Sequence, residues 1–280
     1  MLLTAGILIA LAVALGVYCV LHNKKLVVTR YELEFDKLPK AFSGKKILQI
    51  SDLHKKTYGE NYGRLIDVCK ETTPDYIVFT GDLYSRSEVQ LDHKAVLMKR
   101  LQEIAPVYYV TGNHELDFPE KTEYLMPKIE EVGVTVLRNA KTRIYSDDEY
   151  INIYGAEFDI SHYINEHEGT YSKLPAITEQ VLDDLLGQAD VTEFNLLLAH
   201  TPFPFECYAK WGADLTFSGH CHGGAIRLPF VGGLLSPERK FFPKYSKGVY
   251  NEGSAKMVVS AGLGKFRINN PPELVLVTLK

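Results

Sequence analysis

The chain opens on an unbroken apolar stretch. Residues 2–21 carry no charge, and His22-Asn23-Lys24-Lys25 ends the run. Twenty residues at about 1.5 Å each cover roughly 30 Å, the hydrocarbon thickness of a bilayer. The pattern predicts an N-terminal transmembrane helix, an uncleaved anchor over residues 1–25. A cleaved signal normally begins with basic residues, and none precedes this run. The small residues Ala10, Ala12 and Ala14 keep cleavage as the alternative. A buried core helix is rarely so uniform. Lys24, Lys25 and Arg30 follow the span, so the positive-inside rule puts the rest of the chain in the cytoplasm. The expected location is the cell membrane, crossed once.

After residue 25 the pattern becomes that of a folded domain. Residues 27–35 alternate apolar with polar, the period of a half-buried strand. Short apolar runs at 46–51, 76–79 and 107–110 predict buried strands. Helical spacing at 61–72, 88–104 and 119–132 predicts the helices between and after them, the last interrupted near Pro127. This strand–helix alternation reads as an α/β layered architecture. The second half is richer in strands, at 135–137, 143–145, 151–154, 194–199, 215–217, 225–228, 257–260 and 274–279, with a short helix at 178–186. No linker interrupts the pattern, so residues 26–280 are expected to form one catalytic domain. Residues 158–175 have weak periodicity and read as a flexible insertion near the site.

Each of several predicted strands ends on a metal-ligand type of residue. Asp52 and His54 follow the run at 46–51, Asp82 follows 76–79, and Asn113 and His114 follow 107–110; His200 follows 194–199, and His220 and His222 follow 215–217. Loops at strand ends are where a rigid sheet presents chemistry. Two carboxylates, an amide and imidazoles form a mixed oxygen and nitrogen set that suits zinc, manganese or iron. The candidate ligands are Asp52, His54, Asp82, Asn113, His200, His220 and His222. Seven exceed one zinc ion's usual four, and a carboxylate can bridge, so two divalent ions are the economical reading. Such a pair clamps an in-line displacement at phosphorus and lowers the pKa of a water between the ions to yield a hydroxide nucleophile.

The blocks Asp52-x-His54, Gly81-Asp82, Gly112-Asn113-His114-Glu115, His200 and Gly219-His220-Cys221-His222 resemble, in order, those of the calcineurin-like metallophosphoesterase superfamily. The resemblance covers residues 46–280. The apolar N-terminus, the run Gly-His-x-His-Gly-Gly-x-Ile-Arg-Leu-Pro to Pro229 and Pro271-Pro272-Glu273 resemble its membrane-associated bacterial branch. That branch holds enzymes similar to UDP-2,3-diacylglucosamine pyrophosphatase and broad phosphodiesterases. The resemblance implies a four-layered αββα sandwich, two mixed sheets flanked by helices. It implies Asp52, His54 and His222 on one metal, Asn113, His200 and His220 on the other, and Asp82 bridging. His114 would stabilise or protonate the reacting phosphoester. Cys221 stands where the branch commonly has Thr. It reads as a bystander, a redox-sensitive position or an adventitious ligand.

Composition narrows the function further. A formal net charge of −4 argues against a nucleic-acid surface, and four cysteines without paired spacing suit a reducing compartment. The expected activity is a membrane-anchored phosphohydrolase acting on a phosphodiester or pyrophosphate bond, with a lipid-linked substrate favoured by the tether. The alternatives are an anchored phosphodiesterase or phosphomonoesterase of soluble nucleotides, and a non-catalytic scaffold. His22, His93, His162 and His167 read as solvated, the last two with a substrate role as the alternative. Arg267 reads as a structural salt bridge or a phosphate contact, and Gly223-Gly224 as a tight turn or a close approach to metal. Residues 238–247 mix basic and aromatic side chains and read as a packed loop or an interfacial one. A periplasm-active reporter fused after Lys280 should stay inactive in cells; activity would reverse the membrane orientation.

Overall fold

The computed structural model describes residues 2–23, 25–165, 169–171, 173–224, 226–228, 231–236, 241–264 and 267–280. Along the chain run helix α1 (Leu2–Asn23), β1 (Val27–Leu33), β2 (Lys46–Ile50), α2 (Gly63–Thr72), β3 (Tyr76–Thr80), α3 (Asp92–Gln102) and β4 (Val107–Val110). The short α4 (Asn113–Leu116) and α5 (Pro119–Glu131) lead to β5 (Thr135–Val136), β6 (Ala140–Ser146) and β7 (Glu149–Ala156). Then come α6 (Glu179–Leu186), β8 (Asn195–Ala199), α7 (Phe205–Trp211) and β9 (Leu215–Ser218). A two-stranded hairpin of β10 (Arg227–Leu228) and β11 (Gly232–Gly233) precedes β12 (Gly248–Glu252), β13 (Ala255–Val259) and β14 (Glu273–Leu279).

The strands form two mixed six-stranded sheets, ordered β1-β14-β2-β3-β4-β5 and β12-β13-β9-β8-β7-β6. In the first, β2, β3 and β4 run parallel; in the second, β7, β8, β9 and β13 do. Successive side chains of a strand point to opposite faces. Ile47, Val78, Val110 and Val277 of one sheet accordingly meet Ile153, Leu198, Phe217 and Val258 of the other in a central core. Leu48, Ile77 and Phe79 turn the other way and pack with Leu65 of α2, Leu97 of α3 and Leu125 of α5. On the far side, Tyr154 and Leu197 pack with Leu182 of α6 and with Tyr208 and Trp211 of α7. The order is helices, sheet, sheet, helices. Gln49 ties the sheets near their carboxyl ends, donating to Thr80 Oγ1 at 3.0 Å and to the Ser218 carbonyl at 2.8 Å.

Several boundaries differ from those the pattern predicts. The helix expected from residue 88 begins at Asp92 because Glu88 folds back, its carboxylate accepting the Ser85 amide at 2.6 Å and pairing with Lys94. The helix expected from 61 begins at Gly63, since Asn61 and Tyr62 adopt positive φ. Pro127 does not interrupt α5. It removes the amide that would bond the Glu123 carbonyl, and both residues face solvent, where water can replace that bond. The helix α7 and the strand β12 were not marked by the pattern.

The N-terminal run forms one helix of 22 residues, tied to the domain by Tyr18, whose hydroxyl donates to Asn269 Oδ1 at 3.0 Å. Among the described residues, no helix is long and apolar enough to cross a membrane. The side chains at 2, 3, 5, 8, 11, 12, 15 and 20, on which the expected span draws, lie outside that description.

Gly155 of β7 lies where a side chain has no room: a Cβ there would collide with Leu137 and lie 2.7 Å from Cγ1 of Val110 in β4. Gly155→Ala should lower the unfolding free energy by about 1–3 kcal/mol, the usual cost of overpacking. Urea denaturation checks this; an unchanged midpoint would mean that Leu137 and Val110 give way freely.

Candidate metal centre

The carboxyl ends of β2, β3, β4, β8 and β9 converge on one side of the paired sheets. Every ligand-type residue that the strand ends predict is carried there and buried: Asp52, His54, Asp82, Asn113, His200, His220 and His222. Asp52, His54, Asp82, His220 and His222 adopt φ between 49° and 67°. This left-handed backbone is uncommon for non-glycine residues and costs about 1–3 kcal/mol each. It turns each side chain back over the end of its strand. Glycines let neighbouring backbone come close. At Gly81, whose φ is +83°, a Cβ would lie 2.6 Å from His200 Nδ1.

The donor atoms form two linked groups. One atom from each of Asp52, His54, Asp82 and His222 lies within 4.8 Å of the others. His54 Nε2 is 3.6 Å from Asp82 Oδ2, and His222 Nδ1 is 3.7 Å from Asp52 Oδ1. In the second group His200 Nε2 lies 3.2 Å from Asn113 Oδ1 and 3.3 Å from His220 Nδ1. Asp82 joins the groups, its Oδ2 standing 3.5 Å from His200 Nε2. Ligands about 2.1 Å from a tetrahedral ion are roughly 3.4 Å apart. The carboxylate–imidazole spacings, 3.5 to 3.7 Å, match that edge and exceed a good hydrogen bond, whereas Asn113 Oδ1 and His220 Nδ1 stand at hydrogen-bond distance, 2.9 Å. Charge, ligand chemistry and spacing therefore fit divalent metal.

Surrounding bonds aim these atoms. The His200 Nδ1–H donates to the Thr80 carbonyl at 2.7 Å, which leaves Nε2 as the lone-pair nitrogen facing the cluster. The His114 amide donates to Asp82 Oδ1 at 2.9 Å, and the Ser51 hydroxyl to Asp52 Oδ2 at 2.6 Å. Glu115 Oε2 accepts the Asp82 amide at 2.8 Å and the Gly112 amide at 2.7 Å, fastening two of the loops. Lys94, fully buried, bonds the His54 carbonyl and pairs with Glu88 at 3.2 Å.

Electrostatics follow from burial. Burial alone would raise the Asp82 carboxyl, but His114, His200 and His54 outweigh it and hold the carboxyl well below its usual range. Burial would lower His200, and the Asp82 carboxylate instead raises it to about 9. Burial, with the Asp82 charge, pushes Glu115 up to about 8.

Other predicted positions resolve differently. Arg267 is buried and bonds backbone carbonyls beside the site. Its guanidinium donates to the carbonyls of Gly262 and Gly264, at 3.0 Å from Nη1 and from Nε respectively, and holds that loop against Asp52 and His54. Gly223 and Gly224 form a tight turn at φ +69° and +78°, closed by Asn270, which donates to the Gly224 carbonyl at 3.1 Å. Cys221 is buried, and its carbonyl accepts the Gly224 amide at 2.8 Å. His162 bonds the Pro175 carbonyl through Nδ1 at 3.0 Å, and His93 pairs with Glu88 at 3.5 Å. His167, Ala225, Pro229 and residues 238–240 lie outside the described residues. In the 238–247 stretch the aromatics divide: Tyr245 is buried against Phe205, while Phe241 and Phe242 are 70% and 58% exposed.

A pocket of about 110 Å³ opens on the cluster, lined by Asp82, Asn113, His220 and His222 and by Arg86, Tyr163, Ile164 and Tyr171. The last four were not singled out from the sequence. Tyr163, Ile164 and Tyr171 come from the segment expected to lie near the site. Arg86, four residues beyond Asp82, forms a close ion pair with Asp117. A lone arginine after a strand carries no signal until its pocket is known.

The family model described as calcineurin-like phosphoesterase matches residues 45–224. The chain is 31% identical to the metallophosphoesterase YkuE of Bacillus subtilis over 93% of this chain and 87% of that protein. It is 26% identical to the phosphodiesterase YaeI of Escherichia coli, covering 84% of this chain and 82% of that one. The UDP-2,3-diacylglucosamine pyrophosphatase LpxG of Chlamydia muridarum is 25% identical over 86% of each chain.

If His200 holds a metal ion, protons compete with it: the ring must be neutral to ligate, so apparent metal affinity should climb as pH rises towards about 9 and flatten above it. Without metal the sign reverses. Stabilisation from the raised His200 is fully present below its ordinary value of 6.5 and is lost as pH rises through about 9. Metal titrations and thermal unfolding of chelator-treated protein across this range test both slopes; parallel slopes would contradict the assignment.

Proposed function

The chain belongs to the calcineurin-like phosphoesterase family, and from that premise we propose that it is a dinuclear, metal-dependent hydrolase of phosphodiester or pyrophosphate bonds. The observation carrying this reading is the junction at Asp82, where the Asp52–His54–His222 group and the Asn113–His200–His220 group meet. In this reading Asp52, His54 and His222 would hold one ion and Asn113, His200 and His220 the other, with Asp82 shared between them. When bound, such ions polarise a phosphoryl oxygen and lower the pKa of a water. Manganese, zinc and iron all suit the set.

The chain's own groups supply the rest. His114 Nδ1 accepts the Arg86 amide at 3.3 Å, so the neutral ring carries its proton on Nε2. That nitrogen stands 3.9 Å from Asp82 Oδ2 and is the donor to the leaving oxygen. Arg86, steadied by Asp117, borders the pocket with a guanidinium whose fork suits phosphoryl oxygens.

The same reading includes a membrane anchor over residues 1–25, with the catalytic domain on the cytoplasmic side. Its support is a 22-residue helix without a charged residue, whose Ile9, Val13 and Val17 are more than half exposed, followed by Lys24 and Lys25. A lipid-linked substrate is supported by this tether and by similarity to LpxG, a pyrophosphatase of a diacyl sugar nucleotide. A second reading, diester hydrolysis on a soluble substrate, is supported by similarity to YaeI.

The test uses the full chain in detergent, stripped by chelator and reloaded with manganese, zinc or iron(II), against an aryl phosphodiester and an aryl phosphomonoester. Reloading should restore turnover with about two ions per chain. His114→Ala should keep the metal and lose about 10²- to 10⁴-fold in kcat. Asp82→Asn should lose metal and activity together. A protein that binds no stoichiometric metal would be a scaffold instead.

A further inference from the structure

A second cavity lies beside the metal pocket. Its volume is about 250 Å³, and its walls include Tyr163, Leu174, Pro175, Ile177, Phe203 and Pro204. Tyr163 lines both cavities, so the two share a wall. The Tyr163 ring centroid is 5.4 Å from that of His220 and 6.1 Å from that of His200. Phe203 crosses His220 edge to face at 6.1 Å. A group leaving the phosphorus position past His220 therefore meets these two rings, and beyond them the apolar walls.

The wall chemistry selects the occupant. Leucine, isoleucine, two prolines and two aromatic rings reward burial of hydrocarbon. Two polar side chains at the rim are tied into the fold: His162 Nδ1 meets the Pro175 carbonyl at 3.0 Å, and Thr201 Oγ1 accepts the Phe203 amide at 3.5 Å. A base or sugar needs directed polar partners; an alkyl segment needs none. An apolar cavity of about 150 Å³ takes benzene, so by proportion 250 Å³ takes about ten carbons.

We infer that this cavity is a second subsite, and that it seats an alkyl segment of the substituent carried by the substrate's phosphorus. Tyr163 and Phe203 form the passage between the charged and apolar halves of the site. The inference deepens the phosphohydrolase reading and rests on it for the head group. It specifies a hydrocarbon-bearing substituent where that reading leaves lipid-linked and soluble substrates open.

The test reads binding, not turnover. Methyl-, butyl-, hexyl- and octylphosphonate are titrated calorimetrically into manganese-loaded full-length protein in a steroid-based detergent. A buried methylene gains at most about fourfold in affinity. Octylphosphonate should bind the unaltered protein at least about tenfold more tightly than methylphosphonate. Ile177→Trp, which fills the cavity away from the metals, should reduce this ratio severalfold, and Leu174→Trp is the second variant should the first not fold. Partition of longer chains into micelles is common to all proteins tested and cancels in the comparison. A flat series in the unaltered protein overturns the inference, and so does a ratio that both tryptophan variants leave intact. Failure of the underlying reading is recognised separately, by absent stoichiometric metal and absent ester turnover; the chain-length ratio is read whichever way that falls.

Discussion

Two carboxylates buried side by side are the constraint on which this structure depends. Asp52 and Asp82 sit almost wholly out of water at the seam between the sheets. An ionised carboxylate in such a place costs several kcal/mol unless cations or donors surround it. The neighbourhood is built to that requirement. Imidazoles of His54, His114 and His200 stand within 4 Å of Asp82, and the amides of His114 and His220 point at the two carboxylates. The surrounding imidazoles outweigh burial at Asp82, while burial still raises the Asp52 carboxyl, and a divalent ion would complete the compensation. Ligand set and fold are thus one problem: without the crossing of two sheets, nothing would bring these loops close enough to share the charge.

The cost of that placement is spread through the surrounding backbone. Strained left-handed residues at the strand ends persist only where neighbours hold them. Here Gln49 links the sheets immediately beneath the site, Glu115 clasps the loops after β3 and β4, and Lys94 secures the His54 carbonyl. Arg267 performs the same task for the loop after β13, spending its guanidinium on backbone carbonyls. This buried arginine is in this way part of the geometry of Asp52 and His54, which the Gly262–Gly264 backbone contacts.

Much of this was legible in the amino-acid order, for a physical reason. A parallel strand buried on both faces is a short apolar run, and the residue that follows it must emerge at the sheet's carboxyl edge. Asp52, Asp82, Asn113, His200 and His220 could each be placed by that rule, and all meet at one cluster. The layered architecture followed from the same runs. What escaped depended on tertiary contact. The strand β12 is half-exposed along its length and lacks a clean alternation, and α7 is a seven-residue helix whose neighbours, not its periodicity, hold it in place. Pro127 misled because the rule that proline breaks helices weakens where water can take the orphaned carbonyl. Arg86 and Tyr163 gain meaning only from what stands across the pocket. The N-terminal helix shows the opposite limit: its apolar composition is plain in the sequence, but composition alone does not position it against a bilayer.

That contrast bears on how such a site acquires a substrate. The candidate ligand residues are fixed by strained backbone, shared hydrogen bonds and glycine contacts, so a substitution among them disturbs several loops together. The wall formed by Tyr163 and Ile177 has another basis. Among its described residues the segment has the short 3₁₀ turn Ile160–His162, and these two side chains meet the domain through apolar packing, which tolerates changes of shape. The buried charges must be satisfied in one arrangement whatever ester is cut, whereas the adjoining surface can be reshaped without reopening that electrostatic problem. A chemistry set by the seam between the sheets can in this way serve phosphoesters whose substituents differ widely, and on the inference above the substituent is met by Tyr163, Leu174 and Ile177, not by the candidate metal ligands.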